Sequence, residues 1–210
     1  MQPQNMKSFA VAMVAALGFL LATVSVLPAA RADDTSCTGP LSGVTITGNL
    51  VVPDSAACSV FRVSVTGNVL VRHEASFEAV SDVTISGNVL ADQCEIVLLG
   101  PGLGSVGGNV EIQHCVESSG YSNGRQDQTI GGNFHCHNNF APCVAEGGSI
   151  GGNANVSQNF GGTSRIDNNQ IQGNLQCVGN TAAPNRRLEL GSRVPSGPLQ
   201  STELSGGQSP

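Results

Sequence analysis

The sequence predicts an all-β fold, a right-handed parallel β-helix of about seven coils, and three observations carry that expectation. Gly-Asn recurs seven times, with its asparagines at Asn49, Asn68, Asn88, Asn109, Asn133, Asn153 and Asn174, so the spacing stays near twenty residues. A repeat of that length marks a solenoid. Around each asparagine, apolar residues hold fixed offsets. Three before it stand Ile46, Val65, Ile85, Val106, Ile130, Ile150 and Ile171. One after it stand Leu50, Val69, Val89, Val110, Phe134, Ala154 and Leu175, and three after it Val52, Val71, Ala91, Ile112, Cys136, Val156 and Cys177. The last two columns alternate as a strand with one buried face does. A third, looser apolar segment (Val60, Phe77, Ile96, Leu98, then Phe140 and Phe160) completes three strands per turn. The right hand follows because left-handed coils of the hexapeptide type need a strict six-residue apolar period, which is missing.

The turn chemistry fits. Gly and Asn tolerate positive φ, so a corner at Gly-Asn is expected to use it. Coils stack about 4.8 Å apart, so a buried asparagine at one corner can bond its copies above and below in a ladder.

The ends differ from the repeat. Residues 1–32 read as a secretory signal: Lys7, an apolar run from Phe9 to Leu27, Pro28, and the small-x-small site Ala30-Arg31-Ala32. The β-helix is expected over 33–177. Residues 178–210, rich in Pro, Gly and Ser, are expected to form a disordered tail. Cleavage would remove Lys7 and Arg31 from 9 basic residues against 15 acidic ones, leaving 7 − 15 = −8. Lys7 is the one lysine in the chain. An acidic, lysine-free surface argues against nucleic acid and against anionic membranes as partners.

The seven cysteines all follow the signal, which fits an oxidising compartment. Cys94 and Cys115 each lie six residues after their asparagine, so stacking brings them within disulfide range. Cys37 and Cys58 stand one repeat apart and would clamp the first coil. Cys136 and Cys143 form a local pair, and Cys177 is left over, filling the core.

Candidate chemistry is sparse. His114, His135 and His137 fall on adjacent coils with Glu111 in the His135 column, yet the spacing matches no closed zinc motif, and we expect no metal and no cofactor. A polysaccharide-cleaving enzyme needs two carboxylates across one bond. Glu74, Glu78, Asp82, Asp92, Glu95, Glu111, Glu117 and Asp127 form no clustered column, and Asp167 near Arg165 is a weak signal. We therefore expect no catalytic residues. Thr45, Ser64, Thr84, Ser105, Thr129 and Ser149 form an outward hydroxyl column, joined in three coils by Thr47, Thr66 and Ser86, as on β-helical ice-binding surfaces. Val51, Leu70 and Leu90 form an outward apolar stripe. Ser118 to Asp127, with Tyr121, reads as a solvent-facing loop.

The segments Val44 to Val52, Val63 to Val71, Val83 to Ala91 and Ile171 to Cys177 resemble secreted, actinobacterial-type proteins with hydrophobic-Thr-Gly-Asn-Val-x-Val repeats. More distantly the repeat resembles bactofilins, polymer-forming β-helical cytoskeletal proteins, which implies a self-assembling scaffold. Neither resemblance brings catalytic residues.

The expectation is an exported, non-enzymatic β-helix, secreted or in the cell envelope, with a structural or surface-binding role. Its partners would be copies of itself or a glycan surface. The alternatives are a carbohydrate-active β-helix and an adhesin or ice-binding module. Mass spectrometry of the exported protein should find a mature N-terminus at or near Asp33. A retained Met1 would mean an uncleaved anchor.

Overall fold

A computed structural model describes residues 34–100, 102–122 and 128–187. The predicted signal, part of the Tyr121 segment and residues 188–210 lie outside the described residues.

The described chain is a parallel β-solenoid with no helix. One face is an eight-stranded sheet: Thr35–Ser36, Leu50–Val52, Val69–Val71, Val89–Asp92, Val110–Gln113, Phe134–His137, Ala154–Ser157 and Leu175–Gln176. A second face stacks Pro40–Ser42, Ala57–Phe61, Ser76–Ser81, Ile96–Leu99 and Ser119–Ser122. The third stacks Thr45–Ile46, Ser64–Val65, Val83–Ile85, Leu103–Val106 and Gln128–Ile130. In the upper coils Cys143–Ile150 and Thr163–Ile171 each run through both of these faces, so the two become one sheet. Gly147 (φ 71°) and Asn168 (φ 55°) turn that corner without ending the strand.

Register follows the asparagine offsets. Leu50, Val69, Val89, Val110, Phe134 and Ala154 stack directly on one another and are buried. So do Ile46, Val65, Ile85, Val106, Ile130 and Ile150. Full burial of a Val, Leu or Ile side chain contributes about 1.5–3 kcal/mol. No single coil can enclose these side chains, so the stack is the stable unit. The seven corners bound about six turns, one fewer than predicted, because each turn runs from one corner to the next.

Three cross-links clamp the coil. Cys37–Cys58 and Cys94–Cys115 join adjacent coils, with Cα atoms 5.6 and 4.5 Å apart. Cys136–Cys143 ties the first face to the second within one coil, with Cα atoms 6.3 Å apart. Cys177 belongs to none of these three bonds and is half-buried.

The asparagine ladder runs along a surface corner. The backbone N–H of Asn68, Asn88, Asn109, Asn133, Asn153 and Asn174 donates to Oδ1 of the asparagine one coil below, at 2.7–2.9 Å. At the bottom, Asn49 donates from Nδ2 to Asp34 Oδ1 at 2.9 Å. These asparagines are half-exposed or exposed rather than buried as expected. The reason for glycine also differs. Of the Gly-Asn glycines only Gly48 has positive φ, and none of the asparagines has it. Glycine is needed for space: a Cβ on Gly67 would lie 2.5 Å from the Gly48 carbonyl oxygen and 2.7 Å from Asn49 Oδ1. Left-handed corners lie elsewhere: after six of the first-face strands, at Ser55, Glu74, Gln93, His114, Asn138 and Gln158 (φ 53–58°), and between the second and third faces, at Arg62 and Asp82 (φ 53° and 51°).

A second ladder was not anticipated. Asn139 and Asn159 are buried inside the coil, with Asn180 half-buried above them. The Cys115 N–H donates to Asn139 Oδ1 (2.9 Å), Asn139 Nδ2 to Asn159 Oδ1 (2.8 Å), and Asn159 Nδ2 to Asn180 Oδ1 (3.1 Å). Asn139, Asn159 and Asn180 also donate to the carbonyls of Ile112, Cys136 and Val156. They continue the column of Ala56, Ala75, Cys94 and Cys115.

This column corrects the apolar phase. Inward residues of the second face are Val60, Phe77, Val97 and Leu99, whereas Ile96 is half-buried and Leu98 exposed. Phe140 and Phe160, predicted to pack inside, are 63 % and 46 % exposed, because Asn139 and Asn159 take the inward positions beside them. The solenoid also passes the predicted boundary at Cys177: Asn180 completes the inner ladder, and Ala182–Arg187 pairs with Thr163–Ile171.

Gly67→Ala should lower stability by about 1–3 kcal/mol through overpacking at the rung. At Gly104, where a Cβ would meet nothing nearer than 3.4 Å, Gly104→Ala should stay within about 0.5 kcal/mol. Urea denaturation of both variants checks the contrast. Equal effects would mean that the corner can yield.

Candidate functional site

The outward side of the first face carries two parallel columns. One reads Val51, Leu70, Leu90, Glu111, His135 and Asn155, and the other Asp92, Gln113, His137 and Ser157. Strand alternation decides this. Val110, Ile112, Phe134 and Cys136 point inward and are buried, so Glu111, Gln113, His135 and His137 point outward and are half-buried. Leu70 and Leu90 of the apolar stripe line a groove of about 410 Å³ together with Arg72, His73, Gln93, Glu111 and Gln113. The backbone groups of these strands are committed to the ladder, so recognition here must come from side chains.

The histidines divide into two groups. His114, at the left-handed corner, holds Asp92 through Nδ1 and Oδ1 at 2.8 Å. His135 lies directly above Glu111, and His137 directly above Gln113. Burial of the His137 ring lowers its pKa below the ordinary imidazole value. Glu111 opposes this, and His135 and His114 add to it. The ring is therefore neutral at neutral pH.

A second hollow, of about 500 Å³, opens on the second face beside Leu98, Gly120, Val144, Glu146 and Arg165. An acid that the sequence analysis did not weigh, Glu146, lies here. Glu146 and Asp167 stand in register on adjacent coils. Arg165 donates to Asp167 Oδ2 from Nε (3.1 Å) and from its terminal nitrogen (2.8 Å), and lies 4.0 Å from Glu146. Asp167 is only 6 % exposed. Hydrogen bonding and charge from Asp167, reinforced by Glu146, raise the Arg165 pKa further. Sequence reasoning missed the pair because Glu146 was not placed in any column.

Tyr121 is the largest departure from the sequence reading. It lies in the strand Ser119–Ser122, not in a solvent-facing loop, and is 2 % exposed. Its ring meets Phe134 edge-on, with centroids 5.1 Å apart. Its hydroxyl donates to Asn169 Oδ1 at 2.5 Å, and Asn169 in turn donates to the carbonyls of Ala145 (2.7 Å) and Asp167 (2.9 Å). The Gly-rich local sequence hid this, because a buried tyrosine needs a partner two coils away that no local pattern reveals.

The third face keeps its hydroxyl column in register: Thr45, Ser64, Thr84, Ser105, Thr129 and Ser149. One member of the companion column is used internally, since Thr66 Oγ1 accepts from the Gly48 N–H at 3.0 Å.

No family model, curated protein or solved structure matches the chain.

Burial raises the Tyr121 pKa well above its ordinary value of 10.0. A raised folded-state pKa gives stability that is complete below the unfolded phenol's pKa and lost as pH rises above it. Because Tyr121 is the one tyrosine, alkaline titration should show tyrosinate absorbance appearing only with unfolding. Ionisation near the ordinary value in the folded protein would place the ring at the surface. Tyr121→Phe, which leaves Asn169 Oδ1 short of its donor, should cost about 1–3 kcal/mol in urea denaturation.

Proposed function

We propose that this is an exported, non-enzymatic β-helix with a structural or surface-binding role in the cell envelope or outside the cell. Residues 1–32 serve as its cleaved signal. The observation that supports the reading best is the cross-linking of the coils: two asparagine ladders and three disulfides tie the stack together. Three disulfides fit an oxidising environment. No helix among the described residues is long and apolar enough to cross a membrane. We take the coil as right-handed, since parallel strands joined by crossovers adopt that hand in nearly all sheets.

The scaffold arm is tested by light scattering of the purified protein across a concentration series, with and without reductant. Growth into filaments or defined oligomers is expected. A monomer at every concentration would remove self-assembly, and a glycan-binding screen then tests the surface-binding arm.

A second reading, a carbohydrate-active β-helix, draws support from Glu146, which lines a hollow and stands in register with Asp167. If it holds, the protein releases reducing ends from a polysaccharide panel, and Glu146→Gln abolishes the release with folding intact. No release from any substrate leaves the non-enzymatic reading in place.

A further inference from the structure

We propose that Glu111, His135 and His137, assisted by the Gln113 side-chain oxygen, form a surface binding site for a divalent transition-metal ion, Zn²⁺ or Cu²⁺. The register carries this inference. Glu111 stands beneath His135 and Gln113 beneath His137, so four donor side chains leave the sheet in one direction from the corners of a rectangle. Its sides are the coil spacing of about 4.8 Å and two residues of strand, about 6.6 Å. An ion above the centre lies about 4 Å in projection from each corner. Metal–nitrogen and metal–oxygen bonds of about 2.0–2.2 Å place it within reach of two imidazoles and one carboxylate.

The chemistry of the donors selects the ion. Imidazole suits zinc and copper, and one carboxylate with two histidines leaves positions open for water. The Asn138 side chain lies 3.0 Å from His137 Nδ1. Its amide nitrogen faces that ring nitrogen, so Asn138 must release Nδ1 before His137 can bind an ion through it.

The backbone beneath is fixed. Cys136, between the two histidines, is bonded to Cys143, and its carbonyl accepts from Asn159. The Ile112 carbonyl, between Glu111 and Gln113, accepts from Asn139. As the side chains stand, no three His, Cys, Asp or Glu groups among the described residues already converge on one point. Loading therefore requires rotation of outward side chains and no movement of the sheet. His114 stays outside the set, since it is held by Asp92.

The test is isothermal titration calorimetry of the tag-free protein with Zn²⁺ and with Cu²⁺ separately, accompanied by melting curves of every variant without metal. One ion per chain with low-micromolar or tighter affinity is expected, and the two titrations show which ion is preferred. His135→Ala and His137→Ala should each weaken binding at least about tenfold, and Glu111→Gln about tenfold. His114→Ala and Cys177→Ser should leave it within about twofold. Unchanged melting of the metal-free variants separates ligand loss from unfolding. Millimolar or non-saturable binding overturns the site. So does loss of binding in His114→Ala or Cys177→Ser with retention in His135→Ala.

Discussion

Every coil of this protein borrows its corner hydrogen bonds from a neighbouring coil. At the Gly-Asn corner the chain leaves one strand and enters the next, and its N–H groups have no partner within the coil. The asparagine below supplies an acceptor, and the glycine lets the two corners come close enough to use it. An unpaired backbone donor away from water is costly, so a coil with any other pair of residues here would stack poorly. The repeat of Gly-Asn is thus a condition on stacking distance more than on backbone conformation. Left-handed φ values are borne elsewhere, by residues as ordinary as Glu74 and Gln93.

One inner column shows how a solenoid can solve the same problem by different means. From bottom to top it holds Ala56, Ala75, Cys94, Cys115, Asn139, Asn159 and Asn180. In the lower coils the space is closed by a small apolar side chain and then by a disulfide. Above them, amides fill it and bond one another. The two solutions meet at one contact, where the Cys115 N–H donates to Asn139 Oδ1. Inward asparagines are tolerated because each amide is saturated by its neighbour and by a carbonyl beneath it. Phe140 and Phe160 are displaced outward as a result.

Because the ladders and the core hold the coil, the outward columns are free to differ from coil to coil. The first face changes from leucines to a Glu, Gln and His array over about four turns. The second face gains a carboxylate pair, while the third remains a plain hydroxyl surface. Chemistry can be placed on such a rod simply by choosing residues at fixed offsets. Its geometry is then set by coil spacing and strand rise, which do not depend on the residues chosen.

Sequence alone determined the period, the inward columns at three before and at one and three after each asparagine, and the proximity of Cys94 to Cys115. All of these repeat at constant offsets, and stacking converts a constant offset into a contact. The tertiary structure decided whatever breaks the period. Tyr121 turns inward because Asn169 waits two coils above it. Asn139 and Asn159 share an offset from their Gly-Asn corners, yet their neighbours Phe140 and Phe160 looked the better core residues, and only the stacked column shows the amides satisfying each other. Glu146 and Asp167 come into register because strands that crossed a corner without a break restored an alignment the repeat did not show. The physical reason is the same in each case. Local sequence sets which way a side chain can point, but whether a polar group can stay there depends on a partner one or two coils away.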